Sequence, residues 1–169
     1  MTCLTTERLT LRPPKADDFD ALYTLTESPE MRRFLGADEP TRADSFARML
    51  RNAGSWSLYG YGSFIVHERA SGAFVGNCGI FHSYRGLRDD FDNRAEAGWI
   101  IAREHWGKGY AIEAMTAALD WFDRAHGSAI VAMIEAGNTA SEKVAATFGF
   151  SLMRTATLCG ASMMLYQRA

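Results

Sequence analysis

The chain has 169 residues, 18 basic and 20 acidic side chains, a net charge of −2, and is 47% hydrophobic and 22% charged. These values exclude collagen-like, low-complexity and disordered chains. They also exclude a nucleic-acid binder that depends on a broad cationic face. Cys3, Cys78 and Cys159 lie far apart, and the four histidines include no i, i+4 pair, so neither a disulfide framework nor a metal site is expected. The N-terminus lacks a basic head before an apolar run, and no segment reaches the ~18 apolar residues of a membrane span. A cytoplasmic chain forming one domain over residues 1–169 is expected, with no membrane or nucleic-acid partner.

Leu9-Thr10-Leu11-Arg12 alternates apolar and polar residues and predicts a strand ended by Pro13-Pro14. Asp17 and Asp18 open a helix carrying Phe19, Leu22 and Leu25, with a stop near Pro29. Thr41, with Asp44 three residues on, starts a second helix. Residues 54–62 read as an aromatic loop holding Trp56, Tyr59 and Tyr61. Two strands, Ser63–Glu68 and Ala73–Phe81, flank the turn Ser71-Gly72. Residues 83–94, with Asp89, Asp90 and Asp92, read as an exposed loop. Ala95–Ile101 is a strand. Ala111, Met115, Ala118 and Phe122 then mark a long helix that stops at His126-Gly127. Ala129–Ile134 is a continuous apolar strand, Thr139–Gly149 a short helix, and the segments 150–153 and 161–166 are two more strands. This order predicts an α/β (α+β) chain with helices on the faces of one sheet, and a right-handed parallel crossover from Ala95 to Ile134.

Three features carry chemistry. Trp106-Gly-Lys-Gly-Tyr-Ala111 leads from a strand into the long helix. Free backbone N–H groups at a helix start attract anions, and glycine lets a phosphate approach closely. The segment is neither a Walker A loop nor a dinucleotide fingerprint, and a ligand-free tight turn accounts for it equally well. Glu96 sits inside a strand, where glutamate is a poor fit. It is either a solvated edge carboxylate or a general base beside the anion turn. Asn138-Thr-Ala-Ser-Glu142 follows the apolar strand. Thr139 with Glu142 reads as a capping box, which leaves Asn138 and Ser141 as polar decoration or as functional groups.

Taken together, Thr6–Arg12, Gly72–Gly79, Trp106–Ala111 with Glu113-Ala114, and Asn138–Ser141 with Gly149-Phe150 resemble the motifs of the GNAT acyl-CoA-dependent N-acetyltransferases over nearly the whole chain. More narrowly they resemble the RimJ/RimL branch of ribosomal-protein N-terminal acetyltransferases. The resemblance implies a mixed, mostly antiparallel sheet of about seven strands with a splayed parallel pair and about four helices. It implies acetyl-CoA as co-substrate, no metal, and an amine acceptor that is a protein N-terminus or a small-molecule amine. Backbone amides of Trp106, Gly107, Lys108, Gly109, Tyr110 and Ala111 would hold the pyrophosphate. Trp99, Ile100 and Ile101 would bond the pantetheine arm as a ligand adds to a strand, with Asn138 on the opposite side. Glu96 matches the family's base. Ala145 stands where many relatives carry a tyrosine acid, which leaves Ser141 to serve the departing thiolate. A homodimer is common among similar proteins, although no apolar strip marks an interface. A module that binds acyl-CoA without turnover is the alternative.

Overall fold

Leu9 and Leu11, two residues apart, are both fully buried. Their strand belongs to a single eight-stranded sheet in the computed structural model, which describes residues 2–32, 41–127 and 129–169. The elements are β1 (Leu4–Thr5), β2 (Leu9–Arg12), α1 (Phe19–Glu27), α2 (Pro29–Arg32), α3 (Arg42–Tyr59), β3 (Ser63–Glu68), β4 (Phe74–Ser83), β5 (Arg94–Ile101), α4 (Tyr110–His126), β6 (Ile130–Glu135), α5 (Thr139–Thr147), β7 (Ser151–Leu158) and β8 (Ala161–Arg168). The strand order is β1-β2-β3-β4-β5-β6-β8-β7. Among the described strands only β5 and β6 run parallel, joined by the α4 crossover. The expected mixed, mainly antiparallel architecture is present, with the two-residue β1 and the short α2 added to it.

Burial divides the sheet into two faces. Ala114, Met115, Ala118 and Phe122 form the helical stripe of α4, and all are buried against Val66, Ile80, Ala97 and Ala132. Each large side chain buried in this way contributes about 1.5–3 kcal/mol. Cys78 lies in this cluster, where burial pushes its thiol up to about 12, so it stays protonated and inert. The opposite face carries two smaller clusters. Phe91, Val131, Met163 and Leu165 form one; Leu25 of α1, Met31 of α2 and Ala102 form the other, with Ile100 packed against it. Alternation along β5 therefore turns Ala95 and Ala97 toward α4, and Glu96 and Ile100 toward the second face. No helix among the described residues is long and apolar enough to cross a membrane.

Three local expectations need correction. Residues 54–59 are not a loop: α3 continues to Tyr59 and ends where Gly60 turns left-handed and donates to Trp56 O. The helix survives Gly54 because Ser55, Trp56 and Asn52 anchor it. Ser55 Oγ donates to Tyr61 O at 2.6 Å, Trp56 packs edge-on to Phe64, and Trp56 Nε1 and Asn52 Nδ2 both donate to Ser63 O. The segment 83–94 is not wholly exposed, since Phe91 is fully buried and Asp92 nearly so. Finally, α5 is capped by Asn138 rather than Thr139: Asn138 Oδ1 accepts from the Ser141 amide at 3.1 Å.

Gly76 of β4 faces Ile101 across the β4–β5 ladder, and a Cβ there would stand 2.1 Å from the carbonyl oxygen of Ile100. Gly76→Ala must push β5 aside, an overpacking cost of about 1–3 kcal/mol. A lower midpoint in denaturant unfolding is the expected result, and an unchanged midpoint would show that β5 yields freely.

Candidate active site

The parallel pair opens. β5 and β6 share only the positions Glu96↔Val131 and Ala97↔Ala132, although β5 continues to Ile101 and β6 to Glu135. Beyond that point β4 still pairs with Gly98–Ile101 and β8 with Met133–Glu135. Each strand is thus held on its outer side while its inner edge is released. Backbone groups on the facing edges are left for an extended ligand to pair with.

The released end of β5 runs into the segment 106–111. Gly107 and Gly109 have φ values of +72° and +77°, a left-handed geometry that glycine adopts without strain. The backbone N–H groups of residues 107–112 donate to no acceptor among the described residues, and the first helical bond is Glu113 N to Gly109 O. Trp106 to Gly109 are exposed. Six successive free amides at the start of a 17-residue helix form an anion cradle in which the helix dipole adds positive potential. Side chains hold this cradle in place. Trp106 Nε1 donates to Ile101 O at 2.7 Å, and Arg8 Nη1 donates to Lys108 O at 2.9 Å. Arg8 is in turn paired with Glu113 at 2.6 Å, and Thr6 donates to the same carboxylate. Burial alone would raise Glu113; the bonds from Thr6 and Arg8 outweigh it and hold the carboxyl below its ordinary range.

Glu96 is 2% exposed, so the solvated-edge alternative falls. Its carboxylate is gripped by Arg85 in a fork, Nε to Oε2 at 2.7 Å and Nη2 to Oε1 at 2.6 Å. Burial works against the Arg85 charge, but the field and bonds of Glu96 exceed it and raise the guanidinium above its usual value. The loop carrying Arg85 is rigid. Asp92 accepts from the amides of Arg85, Leu87 and Arg88 at 2.6–2.9 Å, and Asp90 is paired with Arg154 at 2.7 Å. Both acids are therefore committed within the fold.

Across the opening, Trp99 of β5 reaches α5: Trp99 Nε1 donates to Ser141 Oγ at 3.3 Å. Asn138 holds the same turn through its cap, and Ala145 behind it is fully buried. The structure thus gathers Glu96, Trp99, Ile100, Ile101, Asn138 and Ser141 around the opening, with residues 106–111 at its end. Lys108 Nζ lies 3.4 Å from His105 Nδ1 and beside the Tyr110 ring. Sequence reasoning missed Arg85, because one arginine in a polar loop carries no periodic signal. It also missed Arg8, whose link to Lys108 spans 100 positions. Glu135, at the open end of β6, has one buried carboxylate oxygen without a hydrogen-bond partner among the described residues.

Residues 8–151 match the acetyltransferase (GNAT) domain family. The chain belongs to the GNAT acetyltransferase family. Its relatives include the N-acetyltransferase p20 of Bacillus licheniformis, 31% identical over 89% of this chain and 83% of that one. A solved chain from Bordetella pertussis assigned to the same family superposes with a TM-score of 0.89 at 32% identity, covering 100% of both. An acetyltransferase from Agrobacterium tumefaciens gives 0.82 at 27%, covering 99% and 94%. The ribosomal L7/L12 α-N-protein acetyltransferase RimL, solved with coenzyme A, shares the fold with a TM-score of 0.76 at 16% identity, covering 99% and 97%. This protein is an N-acetyltransferase of the GNAT fold.

Gly109→Val puts a branched side chain at φ +77°, in the mouth of the cradle. A rise of about 10-fold or more in the Kd for coenzyme A is expected, the scale of losing hydrogen bonds to a charged group. Calorimetric titration checks it; unchanged affinity would move the phosphate site elsewhere.

Proposed function

We propose that this acetyltransferase moves the acetyl group of acetyl-CoA directly to a primary amine within a ternary complex. The acceptor is a protein N-terminal α-amine or a small-molecule amine. The observation that carries the reading is the run of six amides at residues 107–112 that pair with no described residue, opening onto the released edges of β5 and β6. The cradle suits a pyrophosphate, and the open edge at Trp99, Ile100 and Ile101 suits an amide-bearing arm that continues from it. Asn138, whose Oδ1 is used by the cap, keeps its Nδ2 donor for that arm.

These placements put the thioester near the point where the strands part, beside Glu96. An ammonium group must lose a proton before it attacks, because free amines have pKa values near ~8–10. Glu96 takes that proton, directly or through a water. The amine nitrogen bonds to the acetyl carbon, a β5 backbone N–H steadies the oxygen as it becomes negative, and the carbon–sulfur bond breaks with its electron pair on sulfur. Ser141 accepts from Trp99, so its own hydrogen is free to point at the sulfur. It gives the thiolate a hydrogen bond or relays to it the second proton that the nitrogen sheds as the amide forms, and Glu96 returns the first proton to solvent.

Glu96→Gln should lower kcat by about 10²–10⁴-fold, the usual worth of a general base, while the Kd for acetyl-CoA stays within about 3-fold of wild type. Thiol release and calorimetry measure the two quantities. Full turnover in this variant would remove Glu96 from the mechanism.

A further inference from the structure

We propose that the acceptor carries an anionic group, such as a carboxylate, a few bonds from its amine, and that Arg85 receives this group while the ammonium takes Arg85's place on Glu96. The proposal rests on the reading of Glu96 as the group that meets the amine.

The Arg85–Glu96 fork forces the question. The Glu96 side chain is 3% exposed, and both of its oxygens accept from one guanidinium. An ammonium without an anion of its own faces two poor options. It can approach Glu96 with the fork closed, where the positive charge of Arg85 repels it. Or it can displace Arg85 and leave a half-buried guanidinium without a counter-charge, the costly way to break a buried pair. An acceptor that brings a carboxylate meets neither obstacle. Arg85 exchanges one carboxylate for another, and the bidentate geometry suits both equally. Glu96 exchanges a guanidinium for an ammonium. Two ion pairs remain, and the charge of the site is unchanged.

The surroundings favour the same class of molecule. The first half of α3 is tied to α1, with Arg42 on Asp20 at 2.7 Å and Phe46 edge-on to Phe19. Its last turns are tied to the end of β4, where Ser55 Oγ accepts from the His82 amide at 2.9 Å. Arg48 and Arg51 lie between these anchors; Arg51 is one turn before Ser55, on the stripe facing the strand end from which the loop of Arg85 springs. Neither makes a hydrogen bond or ion pair with a described residue. Asp44, one turn before Arg48, is committed to capping Thr41. Desolvation and the like charges of Arg51 and Arg85 lower Arg48 from its ordinary value, outweighing the opposite pull of Asp44. With Arg85 neutralised by Glu96, Arg48 and Arg51 outnumber Asp44 beside them, and the positive charge left over draws an anion inward. The loop backbone, pinned by Asp92, stays fixed, so the exchange is a rotation of the Arg85 side chain.

The chemistry has two sources: a free amino acid, or a peptide whose first residue is acidic. Matched acceptors separate them. Alanine is compared with alaninamide, and peptides beginning with Asp with the same peptides beginning with Asn, following thiol release and product mass at saturating acetyl-CoA. Alaninamide is intrinsically the better nucleophile near neutrality, since its amine loses a proton more readily, so a preference for alanine must come from the enzyme. A kcat/KM at least about 10-fold higher for the carboxylate member of one pair is expected, the scale of a hydrogen bond to a charged group. The pair that shows it names the source. In Arg85→Lys, which keeps the charge but loses the fork, and in the surface variant R48Q/R51Q, that preference should fall several-fold. Equal or faster acetylation of the neutral member in both pairs, or an undiminished preference in both variants, overturns the proposal. Failure of the underlying reading looks different: Glu96→Gln would then acetylate both members of a pair at the wild-type rate.

Discussion

β5 and β6 part company after Ala97 and Ala132, yet neither strand ends there, because β4 and β8 keep hold of their outer edges. A released inner edge is costly for a sheet, since each buried backbone group without a partner forfeits about 1–3 kcal/mol. The opening therefore persists only because the outer ladders and the helices on both faces over-determine it. Gly76 lets β4 lie against the Ile100 carbonyl, Trp106 ties down the last carbonyl of β5, and Trp99 spans the gap to Ser141. Everything assigned to the transferred group and its carrier follows from that one unpaired stretch.

The cradle at residues 107–112 depends on a second, distant constraint. A nest of amides binds an anion well only if it is already shaped for it, because ordering a loop on binding consumes part of the gain. Here the shaping comes from the N-terminal strands. Arg8 holds the Lys108 carbonyl and pairs with Glu113, Thr6 donates to the same carboxylate, and Tyr110 donates to Glu68 of β3. The turn is thus fastened to a distant part of the chain.

On the second face the charges are arranged in nested pairs. Asp92 and Asp90 fix the loop that presents Arg85, and Arg85 covers Glu96. A buried carboxylate held by one arginine is weak evidence for stability, since an apolar pair of similar volume often serves as well. Its presence beside the opening, with two further arginines on α3 that pair with no described residue, fits the exchange with a charged molecule proposed above.

Much of this protein was legible in its residues. The alternation at Leu9 and Leu11, the stripe Ala111–Phe122 and the apolar run before Glu135 identified strands and helices, because burial of one face imposes its own period on the chain. Glycines at 107 and 109 marked the cradle, because few other residues tolerate that backbone. The sequence pattern does not show that α3 runs through Gly54, since the residues that anchor its end, such as Ser63, lie elsewhere in the chain; Asn138 is hidden as a cap because Thr139 with Glu142 offers the same local signal one residue later. Glu96 stood out as a carboxylate in a strand, but whether it met solvent or a partner depended on a loop folding back over β5. The partner Arg85, the link from Arg8 to Lys108 and the depth of the opening are contacts between distant segments. Local pattern reports which face is apolar; only the folded chain decides which charges come within reach of one another.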